Sequence, residues 1–255
     1  MEAKDIQSVR ELLQSVSESI NSLGIYPRRN VCTDAVLLAL LSKTIRTGMA
    51  TCVLIEQGFG DEAFGLSRTL IELACSARYI LNDPDSGRRS KRFIEYFAKD
   101  HETLTKMIQK HHPTLVPKYH ADHDKMLETA RTFKSPHSWH DGSVRDMVVE
   151  DDLVELDDYG QPAKWEYDYE VVYKWTSHFV HGTVVALDAH SLGPGTAFTI
   201  NAGHQRIDKA GMALFNVAMY LFKSTVLTFR GLGNEMQKDL ADRFDSVIRP
   251  LARKR

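Results

Sequence analysis

The chain has 255 residues, enough for one large core or two small ones. Its 32 Lys and Arg against 34 Asp and Glu leave a formal charge of −2, which excludes a global pull toward nucleic acid or anionic lipid. Three cysteines, Cys32, Cys52 and Cys75, lie in apolar stretches without Cys-x-x-Cys spacing, so a disulfide frame is excluded and reduced thiols in a cytoplasmic protein are expected. The opening "MEAKDIQSVRELL" carries acidic residues and no apolar run, so no secretory signal is read there.

In chain order, a helix is expected over about residues 4–23, where Ile6, Val9, Leu13, Val16, Ile20 and Leu23 alternate steps of three and four. Such a seam lies on a partner helix, within the chain or in a homodimer. Pro27 in "LGIYPRRN" breaks the chain, and a second helix follows over about 31–57, ending at "QGFGD". Asp61 is the candidate N-cap of a helix over about 62–82, which "NDPDSG" ends. Helices over about 87–111 and 115–133 come next, then the loop "FKSPHSWHDGS", with Asp141 or Ser143 capping a short helix through Val149.

Residues 150–168 are acidic, hold Gly160 and Pro162, and at most form one short β-hairpin. They read as a connector, because the helices on either side need one another to bury their apolar faces. Helices over about 168–190, 204–230 and 234–251 complete the chain. "GMALFNVAMYLFKSTVLTF", residues 211–229, is long enough to cross a membrane, but Asn216 and Lys223 interrupt it, and a buried core helix is expected instead. The fold class expected is all-α, an antiparallel bundle of about seven or eight helices in one domain. Within residues 1–255, 1–25 form an N-terminal amphipathic helix, 30–135 and 168–255 the two helical halves, and 150–168 the acidic connector.

Polar groups recur on otherwise apolar helices. Arg68 and Glu72 sit four apart amid Phe64, Leu66, Leu70, Ile71, Leu73 and Ala74, with Cys75 and Tyr79 continuing that edge. Arg92 and Tyr96 are four apart on another helix. In "YEVVYKWTSHFVHG" every fourth residue along one edge, Tyr169, Tyr173, Ser177 and His181, is polar. A buried ion pair costs several kcal/mol of desolvation per ion, so it calls for further hydrogen-bonding groups, which phenols, hydroxyls and imidazoles supply. One buried polar cluster of Arg68, Glu72, Arg92, Tyr96, Tyr173, Ser177 and His181, with Tyr79 beside it, is therefore expected.

Three stretches, "GFGDEAFGLSRTLIELACSARYI", "KRFIEYF" and "YEVVYKWTSHFVHG", resemble the bacterial family catalogued as domain of unknown function 5677. In that pattern a Gly-containing turn precedes Arg-x-x-x-Glu, and Tyr-x-x-x-Ser-x-x-x-His follows late in the chain. The resemblance covers about residues 40–190. It implies an all-helical fold, singles out Arg68, Glu72, Tyr173, Ser177 and His181, and brings no reaction with it.

Three functional classes follow. The first is a binding or effector module, with an unidentified ligand or partner protein, in a bacterial phage-defence or toxin–antitoxin setting. The second is a metal-independent ribonuclease in which His181 is the base, Arg68 the cation, Glu72 orients either group and Ser177 contacts the phosphate. The formal motif of small helical ribonucleases, Arg and His with four to six residues between them, occurs as "RTFKSPH", Arg131 to His137, but Pro136 interrupts it. The third is a metal-dependent phosphohydrolase, for which the pairs His120/His123, His137/His140 and His178/His181 offer spacing but no wider ligand set. No cofactor and no membrane are expected; RNA and a second copy of the chain are candidate partners. The basic runs "GRRSKR" (87–92) and "RPLARKR" (249–255) are candidate contacts for RNA or acidic partners, against solvated helix ends.

Overall fold

The computed structural model describes residues 2–23, 31–85, 87–112, 114, 123–135, 138–140, 142–150, 165–181 and 207–254. They form α1 (Ala3–Ser22), α2 (Val31–Glu56), α3 (Gly60–Leu81), α4 (Arg88–His111), α5 (His123–Arg131) and α6 (Val144–Glu150). A continuous winding follows, made of α7 (Trp165–Tyr167), a π-helical segment (Asp168–Tyr173) and α8 (Lys174–Val180). The long α9 (Ile207–Gly231) and α10 (Lys238–Ala252) end the chain. No strand occurs among the described residues, and the hairpin expected in the acidic connector falls largely on 151–164, outside them.

Local chemistry sets several of these ends. Gly58 turns the chain at φ 86°, in the left-handed region that favours glycine, and the Phe59 amide closes onto the Leu54 carbonyl. α3 therefore starts at Gly60, and Phe59 rather than Asp61 is its N-cap. Asp61 instead lies inside the first turn, buried at the positive end of the helix dipole. The other capping expectation is met by Ser143: it accepts from the Asp146 amide through Oγ, and the Asp146 carboxylate accepts from the Ser143 amide at 2.6 Å.

The core lies among α2, α3 and α9. Leu37, Leu41, Leu70, Ile71, Ala74, Leu214 and Leu221 have almost no solvent exposure. At one end Lys209 reaches the ring of Phe64, further along Asn216 Nδ2 donates to Ser67 Oγ at 3.1 Å, and at the far end Gly231 faces Leu81. These contacts run α9 beside α3 in the same direction, so the arrangement is not the wholly antiparallel one expected. The residues between the two helices supply the return crossing that a same-direction pair requires.

α2 and α9 are each long and apolar enough to span a bilayer. The polar residues that interrupt α9 both have partners within the chain: Asn216 bonds Ser67, and Lys223 pairs with Asp168 while lying 4.4 Å from the Trp165 ring. Buried hydroxyls on these helices, Thr44, Thr51, Thr225 and Thr228, donate to the carbonyl four residues earlier. The seam of α1 is also covered within the chain. Val9, Leu12, Leu13 and Val16 are buried against α2, α9 and α10, and ion pairs Arg10–Glu56 and Lys254–Asp5 tie the first half of α1 to α2 and to the end of α10.

α1 and α9 both press side chains onto α2 at Gly48. A Cβ there would stand 2.8 Å from Leu13 Cδ2 and 2.9 Å from Val217 Cγ1. Gly48→Val is expected to lower unfolding stability by about 1–3 kcal/mol through overpacking. Gly211→Ala, on α9 with nothing within 4 Å, is expected to raise it by about 0.5–1 kcal/mol through helix propensity. Urea denaturation of both variants checks the pair, and equal stability of Gly48→Val and the parent would contradict the packing.

Candidate functional site

α3 is buried on the sides facing α2 and α9, and Arg68 and Glu72 lie on the edge where α8 packs, while Arg78 is buried toward α6 and Trp165. There Arg68 Nε donates to Glu72 Oε1 at 3.2 Å. Tyr173, at the end of the π-helical segment, donates its hydroxyl to the same carboxylate oxygen at 3.1 Å, and its ring lies 4.9 Å from the guanidinium. His181, at the C-cap of α8, meets Arg68 Nη1 through Nε2 at 2.6 Å. A guanidinium has no acceptor, so Nε2 accepts and the ring proton of this neutral imidazole sits on Nδ1. The helix edge read from the sequence thus divides: Tyr173 and His181 reach α3, Tyr169 stacks on Tyr173 with centroids 4.9 Å apart, and the Ser177 hydroxyl donates to the Tyr173 carbonyl at 2.7 Å.

Two expectations need correction. The cluster is not a buried chamber: the side chains of Arg68 and Glu72 are 24% and 38% exposed, and His181 is exposed. The reason is geometric, because α8 is a short helix along one edge of α3 while the deep faces of α3 are taken by α2 and α9. Arg68 and Glu72 accordingly form a screened pair whose loss costs little. The cluster is also not single. Arg92, Tyr96 and Tyr79 belong to a second group around α4 and the 138–140 turn. Arg92 Nε donates to the Trp139 carbonyl at 3.1 Å and its guanidinium lies 4.3 Å from the Phe133 ring, onto which Tyr96 packs edge-on at 5.3 Å. Tyr79 carries the Arg89 guanidinium 3.6 Å above its ring and meets Trp139 and His140 edge-on at 5.6 and 4.4 Å.

Five residues of these sites escaped the sequence reading. Asp168 and Lys223, with Trp165, tie the π-helical segment to α9 and so set where Tyr173 points. No local spacing joins them, since 55 residues separate the ion pair. Arg89 did carry a signal, the basic run 87–92, which solvated helix ends also explain. Trp139 lies in a loop sequence without periodicity. Burial pushes the Cys75 thiol, on the same edge of α3, up to about 12, so it stays protonated and is no nucleophile.

For metal chemistry, His120 and His137 lie outside the described residues, as do the side chain of His123 and the Arg131-to-His137 motif's histidine. Among the described residues no group of three or more His, Cys, Asp or Glu side chains is placed to hold a metal ion.

With this geometry in view, residues 34–195 match a family of unknown function, DUF5677. That is more than half of the chain, and the protein belongs to this family. No curated protein and no solved structure matches it.

Burial, followed by the negative charge of Glu72, pushes the Tyr173 phenol from its ordinary 10.0 up to about 12, with Arg68 acting the other way. The folded state thus holds a proton that the unfolded chain has released between pH 10 and 12. Stability from Tyr173 is present below the lower value and is lost as pH rises through the upper one. Urea denaturation of the parent and Tyr173→Phe should differ by about 0.5–1.5 kcal/mol below pH 10, with the difference shrinking at higher pH. A pH-independent difference would show that Tyr173 does not donate to Glu72.

Proposed function

We propose that this is a binding or effector module that takes an anionic ligand on the Arg68–His181 edge. The observation that carries this is the 2.6 Å contact between Arg68 and His181 at a solvent-open position. Glu72 and Tyr173 hold the guanidinium in place on one side, so its orientation is set before a ligand arrives. A guanidinium carries five donors in a fork, more than Glu72, Tyr173 and His181 take up, and it suits phosphate or carboxylate oxygens. Ser177, whose hydroxyl is committed to backbone, helps to shape the edge rather than to contact the ligand.

A second reading is metal-independent RNA cleavage, favoured by the exposure of His181 beside the cation. A phosphodiester that takes over Arg68 would leave His181 Nε2 free to accept the proton of the ribose 2′-hydroxyl. The 2′-oxygen would attack phosphorus, Arg68 would stabilise the charge on the non-bridging oxygens, and the departing 5′-oxygen would take the proton back from the imidazolium. The products are a 2′,3′-cyclic phosphate and a 5′-hydroxyl. The phage-defence or toxin–antitoxin setting is part of the proposal for the binding or effector module. A cytoplasmic location is part of the proposal, supported by the three free thiols. So is action as one helical domain, supported by the shared core of α1, α2, α3, α9 and α10.

Arg68→Ala is expected to cost about 1 kcal/mol or less in stability, because the pair it breaks is solvent-screened. It should nonetheless abolish binding of a phosphate-bearing oligonucleotide at this edge. With RNA and excess chelator, His181→Ala of equal folded content separates the two readings. Cleavage lost in the variant assigns catalysis to His181. Binding that persists in the parent without cleavage leaves the binding module, and absence of both in the parent removes the proposed site.

A further inference from the structure

A cavity of about 440 Å³ lies away from the Arg68–His181 edge, lined by Tyr79, Arg88, Arg89, Lys91, Arg92, Glu95, Trp139 and His140. We propose that it binds a small nucleotide-class ligand, with its phosphate among the α4 cations and its ring against Trp139. Four cations stand against one carboxylate in the lining, in a chain whose overall charge is −2. The volume falls in the range of small-ligand sites, about 300–1,000 Å³.

The cations are of two kinds. Arg89 and Arg92 are anchored. Arg89 is buried, donates through Nη1 to the Tyr79 carbonyl at 2.7 Å and lies over the Tyr79 ring. Arg92 is held by the Trp139 carbonyl and the Phe133 ring. They give the cavity a fixed positive wall at no entropy cost on binding. Arg88 and Lys91 are rim groups, well exposed and paired with Asp85 at 3.1 Å and with Glu95 at 3.6 Å. Surface pairs of this kind are worth about 1 kcal/mol or less, so a phosphate can draw both side chains over the cavity. The positive charge is that of the side chains, because the α4 terminus is already occupied where the Arg89 amide donates to Asp83 at 2.7 Å.

The aromatic side completes the ligand class. Trp139 meets Tyr79 and Phe93 edge-on at 5.6 and 5.2 Å, which fixes the indole at the cavity while leaving it only partly buried. A flat ring on the indole and an anionic group on guanidinium and ammonium groups is the recognition pattern of a nucleotide, and stacking of this type is worth about 1–3 kcal/mol per base. Sugars lack the charge and fatty acids lack the flat ring.

Isothermal titration of the full chain with AMP, and separately with inorganic phosphate, tests this at low salt. AMP is expected to bind more tightly than phosphate and to weaken as salt is raised. The double variant Arg88→Glu/Lys91→Glu, at exposed positions that leave the fold intact, should weaken AMP binding by about tenfold or more. His181→Ala should leave it unchanged, which separates this cavity from the Arg68–His181 edge. No AMP binding up to about 5 mM, binding indifferent to the double variant, phosphate as tight as AMP, or loss in His181→Ala would each overturn the assignment.

Discussion

Everything in this structure depends on α3 being packed between two long apolar helices. A helix with α2 on one side and α9 on another has few directions left that reach water, and a large polar side chain elsewhere would sit desolvated. Arg68 and Glu72 are therefore driven to one edge, while Arg78 and Tyr79 are buried against neighbouring side chains and backbone. Between Glu72 and Tyr79 that edge runs inward at Cys75, whose thiol burial keeps protonated. Along this edge the half-exposed Arg68–Glu72 pair and the buried Tyr79 thus anchor two separate patches, Glu72 and Tyr79 being about two helical turns apart along the axis.

Each patch is finished by a different element. α8 and the π-helical segment bring Tyr173 and His181 to Arg68, while α4 and the 138–140 turn bring Arg89, Arg92, Trp139 and His140 to Tyr79. The π-helical segment has an identifiable tether, the Lys223–Asp168 ion pair under Trp165. π-Segments re-aim the side chains that follow them and are frequent at functional sites. Here Glu170 turns to Arg145 on α6, while Tyr173, at the end of the segment, reaches α3 and holds Glu72 and thereby Arg68.

Much of the helical architecture was legible because helices announce themselves by period and by breakers. The seam Val9, Leu13, Val16 gave α1, the stretch "QGFGD" marked the turn into α3, and Ser143 was one of two candidate caps of α6. The pairs four apart on a helix were equally readable, since Arg68–Glu72 needs only helical geometry. What local spacing could not carry was which pairs would meet across 100 or more residues. Tyr173 to Glu72 and Arg68 to His181 could be expected as a group, but the division of Arg92, Tyr96 and Tyr79 into a separate patch depends on where α4 docks. The direction of α9 along α3 was hidden for the same reason, because amphipathic period is blind to helix polarity.

Exposure, the main point on which the expected buried cluster fails, also changes what the Arg68 network is for. A fully buried Arg–Glu pair is explained by the penalty of removing either partner, and it need have no other role. At 24% and 38% exposure that penalty is small, so stability alone gives no reason to surround Arg68 with a carboxylate, a phenol and an imidazole. Three orienting groups on one solvent-accessible guanidinium restrict a side chain that would otherwise lose about 2 kcal/mol of rotamer freedom on gripping a ligand. A network that contributes little to folding but fixes a cation at the surface is what the proposed binding of an anionic ligand at this edge requires.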